Sequence, residues 1–183
     1  EMSYCHNPGG LHAVLTPYNA IGEFPLVKEY CRGYGLGQFV FMHKGEALRT
    51  FQHRRVSEWP PEGGFSSTCE AVSLTEHQAL MEKSIALLRS INWEGVGMVE
   101  YRFDPLTGQA ALMEINGRLW GSLPLAYHCG AAFVWLTYAV HGNDEYPDIP
   151  KSRDDLRCRF MIPETKRLFR ILFQPHLIQD HSL

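Results

Sequence analysis

The sequence predicts an α+β fold, a mainly antiparallel sheet packed against two helices. Several short runs rich in β-branched and aromatic residues are punctuated by Gly- and Pro-containing turns. Residues 75–91 carry apolar groups at helical spacing, and residues 119–140 form an apolar stretch without Asp, Glu, Lys or Arg. Strands with two packed helices make a layered α+β arrangement.

Taken in order, residues 7–16 read as a short helix after Asn7-Pro8, and residues 17–24 as a loop. Residues 25–32 read as a strand ending at Gly33-Tyr34-Gly35-Leu36-Gly37. Residues 38–43 and 47–56 form a hairpin across Lys44-Gly45-Glu46. Residues 58–66, with Pro60-Pro61 and Gly63-Gly64, read as a mobile loop, and residues 68–73 as a strand. Thr75 and Gln78 have the spacing of a capping box for a helix reaching about Ile91, with Leu80, Ser84, Leu87, Leu88 and Ile91 inward. The apolar stretch is long enough to span a bilayer. Ser122 as N-cap, Pro124 in the first turn and an interior Gly130 describe a buried helix better. Residues 147–152 read as a linker, 157–162 as a strand, and 164–173 as a basic amphipathic helix.

The 183 residues, 45% of them hydrophobic, suffice for one good core or one and a half. A net charge of −3 argues against nucleic acid as the main partner. The five cysteines (5, 31, 69, 129 and 158) form no CxxC pair and are odd in number, against a disulfide framework or zinc site. A reducing cytoplasm is the default expectation, with no membrane attachment.

Chemistry concentrates around Asp104–Gln109. Leu106-Thr107-Gly108 fits a three-residue hairpin loop closed by Pro105 and Gln109. In that register Glu100 faces Glu114, and Met98 faces Asn116. Val99, Tyr101 and Phe103 then share the other face with Ala111, Met113 and Ile115. Directly opposed like charges destabilise a sheet, and hard oxygen donors suit Mg²⁺. The two carboxylates and the Asn116 amide therefore point to a divalent cation with an anionic ligand, and Arg118 stands within reach of that anion. The alternative is a solvated face whose carboxylates pair with Arg102 or Arg118.

Val99-Glu100-Tyr101 followed by Met113-Glu114-Ile115-Asn116-Gly117-Arg118 resembles the C-terminal lobe of the ATP-grasp family. The pattern is nearest to biotin carboxylase-like and carbamoyl-phosphate-synthase-like members, over about residues 25–140. The resemblance implies Glu100, Glu114 and Asn116 as ligands of Mg (or Mn), and Arg118 as the arginine near the transferred phosphate or the acceptor carboxylate. Leu26-Val27-Lys28-Glu29-Tyr30-Cys31 resembles the strand linking the two lobes, where backbone groups grip adenine. By position this implies Glu29 C=O and Cys31 N–H, with Lys28 beside them. The family often has an acid at the Lys28 place and another after the glycine-rich segment, and neither is present here. Gln52-His53-Arg54-Arg55 resembles the family's basic strand, and alternation sets His53 and Arg55 on one face as site residues.

The resemblance implies part of an ATP-dependent carboxylate ligase. ATP would phosphorylate a small-molecule carboxylate, and an amine or similar nucleophile would attack the acyl phosphate. Residues 1–24 contain no lysine. They are therefore read as the remnant of a preceding phosphate-binding lobe, with 25–150 as the C-terminal lobe and 151–183 as an extension. The lobe alone is expected to be inactive, to bind nucleotide weakly, and to be capable of homodimer formation through uncovered surface. A non-catalytic nucleotide-binding module is the second expectation. A metal-dependent hydrolase is the third, and the further ligands it requires are not found.

Overall fold

The computed structural model describes residues 3–60, 64–148 and 150–174. They fall into two compact units, Glu1–Cys31 and Arg32–Leu183.

In the first unit, α1 (Pro8–Ala20) begins where Asn7 Oδ1 accepts the Gly10 N–H at 2.8 Å and Pro8 opens the first turn. The helix passes through Pro17 into the region expected to be a loop. Pro17 removes one backbone donor, but the Tyr18 and Asn19 carbonyls still take the N–H groups of Ile21 and Gly22. The strand expected over residues 25–32 is not formed. Among the described residues no strand pairs with this segment, so its backbone has no ladder to join.

In the second unit, six strands form a fully antiparallel sheet: β1 (Tyr34–His43), β2 (Glu46–Trp59), β3 (Phe65–Ala71), β4 (Gly95–Phe103), β5 (Ala110–Asn116) and β6 (Arg157–Arg159). Their spatial order is β5-β4-β1-β2-β3-β6. Gly33, at φ 103, immediately precedes β1: a Cβ there would lie 2.0 Å from the Phe103 carbonyl oxygen. Lys44 and Gly45, both at positive φ, make the two-residue turn into β2, so Glu46 pairs with His43 instead of belonging to the loop. The centre of the expected mobile loop, residues 61–63, lies outside the described residues. So does the end of the expected extension, residues 175–183. Its earlier part adds β6 to the sheet edge and continues as α5 (Met161–Phe173).

One face of the sheet is covered by α2 (Gln78–Ser90), with Leu36, Val40, Val99, Tyr101, Met81 and Leu88 in the contact. Each such fully buried side chain contributes about 1.5–3 kcal/mol. A polar chain runs through the same layer. Ser84 Oγ donates to Gln38 Oε1 at 2.6 Å and lies 2.9 Å from the Tyr101 hydroxyl; Gln38 Nε2 donates to Gln52 Oε1 at 3.0 Å. The capping box is not formed: the helix starts three residues after Thr75, His77 occupies the N-cap, and Gln78 donates to Glu82 Oε1 at 3.0 Å. Met81 is buried, whereas Ile91 lies beyond the helix and is half exposed.

The opposite face is covered by the apolar stretch, which is broken rather than continuous. It forms α3 (Leu123–His128), α4 (Phe133–Leu136) and a π-helical turn, Thr137–Gly142. The break is a Schellman ending: Gly130 at φ 85 donates to Tyr127 O at 2.9 Å, and Ala131 donates to Ala126 O at 2.8 Å. Phe39, Phe51, Met98, Trp120, Leu125 and Phe133 form this core. Phe39 stacks on Trp120, with ring centroids 4.2 Å apart and nearly parallel, and also runs nearly parallel to its cross-strand partner Phe51 at 5.7 Å. Among the described residues no helix is long and apolar enough to cross a membrane.

Candidate active site on the antiparallel sheet

The β4–β5 hairpin carries Glu100 opposite Glu114, with Met98 opposite Asn116, as the register predicts. The loop reaches that register by another route. Asp104 N–H donates to Gln109 O, and Gly108 N–H donates to Asp104 O, both at 2.8 Å. Phe103 then pairs with Ala110, so the closing pair is not Pro105 with Gln109. A bulge at Met113 absorbs the extra residue, so Leu112 rather than Met113 faces Tyr101. The two departures cancel at the carboxylates.

Across the sheet, Glu114, Glu100, Gly37, His53 and Ala71 form one row. Two glycines of β1 make room for the β2 side chains. A Cβ on Gly35 would lie 2.6 Å from Arg55 Cδ, and one on Gly37 would lie 2.9 Å from His53 Nε2. Arg55 thereby lies flat over β1 and pairs through Nη2 with Glu100 Oε1. Its Nη1 reaches Glu58 Oε1 at 3.5 Å and donates to Gly64 O at 3.1 Å. Arg102 Nη1 lies 3.3 Å from the same Glu58 oxygen. Sequence reading missed Glu58, which stood at the start of a presumed loop. Only its three-residue spacing from Arg55 hinted at the pair.

Burial pushes the Glu100 carboxyl above its ordinary range, Arg55 opposes this, and Glu114 and Glu58 add to it. Glu114 is exposed, and its Oε1 accepts from Asn116 Nδ2 at 2.8 Å. Three carboxylates (Glu58, Glu100, Glu114) thus stand against two interleaved guanidiniums (Arg55, Arg102). The exposed Arg118 donates to Leu119 O at 3.4 Å. The excess of acid, with carboxylate and amide oxygens on the exposed side, is a donor chemistry that fits a hard divalent cation.

His53 is 2% exposed, its ring edge-on to Phe39 at 4.8 Å. Burial first, then Arg55, pushes its pKa down to about 3, so the ring is neutral, and Nδ1 has no hydrogen-bond partner. It lies beneath Gly37, not open to solvent. Arg54 takes the other face, as alternation predicts, and pairs with Glu70, which also accepts from Arg157 Nε at 2.5 Å. Lys28 and Glu29 are exposed and Cys31 is half-buried; all three belong to the first compact unit.

Residues 67–135, from β3 through the hairpin to α4, match the family model of the carbamoyl-phosphate synthase L chain, ATP binding domain. The biotin carboxylase domain of a thermophilic 2-oxoglutarate carboxylase superposes with a TM-score of 0.63 at 13% identity, covering 84% of this chain and 37% of that one. The fold is that of an ATP-grasp C-terminal lobe. Pyruvate carboxylase from Rhizobium etli shares it, with a TM-score of 0.53 and 19% identity, over 75% of this chain and 13% of that one. So does the Hydrogenobacter thermophilus 2-oxoglutarate carboxylase biotin carboxylase domain, solved as a dimer with MgADP and bicarbonate (TM-score 0.52, 14% identity, 69% and 27% covered). The chain therefore spans well under half the length of these structurally similar proteins. A search of curated proteins finds no match to the sequence. The matched segment contains Glu100, Glu114, Asn116 and Arg118, while His53 and Arg55 precede it.

Proposed function

We propose that this lobe belongs to an ATP-dependent carboxylate ligase, which activates a small-molecule carboxylate as an acyl phosphate for attack by an amine or similar nucleophile. The observation that carries the proposal is the acidic row on the ATP-grasp sheet: Glu100 opposite Glu114, Asn116 bonded to Glu114, and Arg55 laid across β1 onto Glu100. Glu114, Asn116 and Glu100 would hold Mg²⁺ or Mn²⁺. A metal bound there supplies charge neutralisation between phosphate oxygens. The chain's own residues do the rest. Arg55 and Arg118 offer guanidinium donors for charge developing on the transferred group. His53, neutral and buried, acts through position, filling the space beneath Gly37. Lys28, Glu29 and Cys31 belong to this proposal as the adenine-gripping segment. Residues 1–24 belong to it as the end of the preceding lobe and 151–183 as an extension. Self-association of the lobe follows the dimer of the Hydrogenobacter thermophilus domain.

One observation favours the second reading, a module that binds nucleotide without turnover: Arg55 already neutralises Glu100. The two readings separate in the full-length protein. Mg-dependent ADP release is measured against a panel of carboxylates and amines, with Glu114→Ala as the variant. The ligase reading expects release stimulated by one carboxylate and lowered by about a hundredfold or more in Glu114→Ala, roughly 3 kcal/mol of transition-state stabilisation. Unchanged turnover in the variant removes the metal assignment. Binding of MgATP without release supports the second reading.

A further inference from the structure

His43, Glu94 and His141 converge at the opposite end of β1 from the acidic row, about 20 Å away at a strand rise of about 3.3 Å per residue. His43 ends β1, Glu94 leads into β4, and His141 lies in the π-helical turn. One donor atom from each lies within 4.8 Å of the other two. His43 Nδ1 is buried without a hydrogen-bond partner, although Glu94 Oε2 is 3.3 Å away. The far atoms of both groups are held from outside. His43 Nε2 meets the Tyr146 hydroxyl at 3.0 Å, and that hydroxyl donates to Asp144 Oδ1 at 3.3 Å. Glu94 Oε1 accepts the Lys44 N–H at 2.7 Å, and Lys44 Nζ donates to the Tyr146 oxygen at 3.3 Å.

This is how metal-binding side chains are commonly oriented: the second ring nitrogen is engaged by an outer group, which sets the tautomer and aims the first. Two imidazoles and one carboxylate are also the protein donor set of zinc sites that keep a position open. Nitrogen donors favour Zn²⁺-class ions over Mg²⁺, which takes oxygen. Single π-helical turns recur at functional sites, and here one carries His141.

We propose that His43 Nδ1, Glu94 Oε2 and an imidazole nitrogen of His141 bind a borderline divalent cation of the Zn²⁺ class. The exposed sides of Glu94 and His141 leave a coordination position open to solvent. The bound ion staples the end of β1 and the entry of β4 to the C-terminal layer. It is independent of the acidic row, whose oxygen donors select a different ion.

The test is titration of the chain with Zn²⁺ against a chromophoric chelator, and with Co²⁺ followed by visible absorption. With Mg²⁺ in excess to occupy the oxygen-donor row, one ion per chain is expected, with cobalt d–d bands and no thiolate charge-transfer band. His43→Ala, Glu94→Gln and His141→Ala should each weaken binding about tenfold or more, whereas Glu82→Gln, on the exposed side of α2, leaves it unchanged. His141 is exposed, so its replacement spares the core. Zn²⁺ should also raise Tm in the parent chain and less in His141→Ala. Parent-like affinity in His141→Ala, a cysteine-dependent charge-transfer band, or no Zn²⁺ binding with a Kd below about 100 µM, would overturn the proposal.

Discussion

Replacing His53 with leucine should flatten the acid side of the stability profile. The imidazole is 2% exposed, and its pKa stands at about 3 against an ordinary 6.5. Between those values the unfolded chain binds a proton that the folded chain does not. Stability therefore falls as pH drops from about 6.5 towards 3 and is constant for this group above 7. Going from pH 7 to pH 4, with about 1.4 kcal/mol per pH unit, His53 alone costs about 3 kcal/mol. Urea unfolding of the parent chain and His53→Leu at pH 7, 5.5 and 4 measures this, and subtraction cancels carboxylates shared by both. The stability difference should shift in favour of His53→Leu by about 3 kcal/mol across that range. Parallel profiles would refute the burial of a neutral imidazole beneath Gly37.

Two further expectations rest on close approach and charge. Gly37→Ala places a Cβ 2.9 Å from His53 Nε2 and 3.2 Å from Met98 Sδ, so thermal unfolding should show a loss of about 1–3 kcal/mol from overpacking; no loss would mean that the row has slack. Glu70 is buried between Arg54 and Arg157, and Glu70→Gln should cost about 1–2 kcal/mol in urea unfolding by weakening both charged hydrogen bonds. Faster amide exchange at β6 should accompany that loss.

The sheet was legible where alternation and turn chemistry agreed. His53 and Arg55 separated from Gln52 and Arg54 by parity alone, and Lys44-Gly45 announced its hairpin. Glu100 and Glu114 were matched correctly because one face of β4 had to be apolar. The bulge at Met113 was not legible, since the loop's extra residue and the bulge cancel before they reach the carboxylates. Thr75 failed as a cap because spacing does not reveal that residues 74–77 form a turn before the helix. The split of the apolar stretch was marked by Gly130, but composition outweighed that single residue. Glu58 joined the site through its local pair with Arg55, across register shifts in β2 that strand parity does not encode, and through the long-range contact with Arg102.

Transfer of oxygen between the carboxylate and phosphate tests the ligase reading most directly. The full-length protein is given MgATP, its nucleophile and the stimulating carboxylate labelled with ¹⁸O, and the released phosphate is examined by mass spectrometry. Acyl-phosphate formation predicts one ¹⁸O in the phosphate for each turnover, lost together with turnover in Glu114→Ala. Steady ADP release with unlabelled phosphate would contradict it.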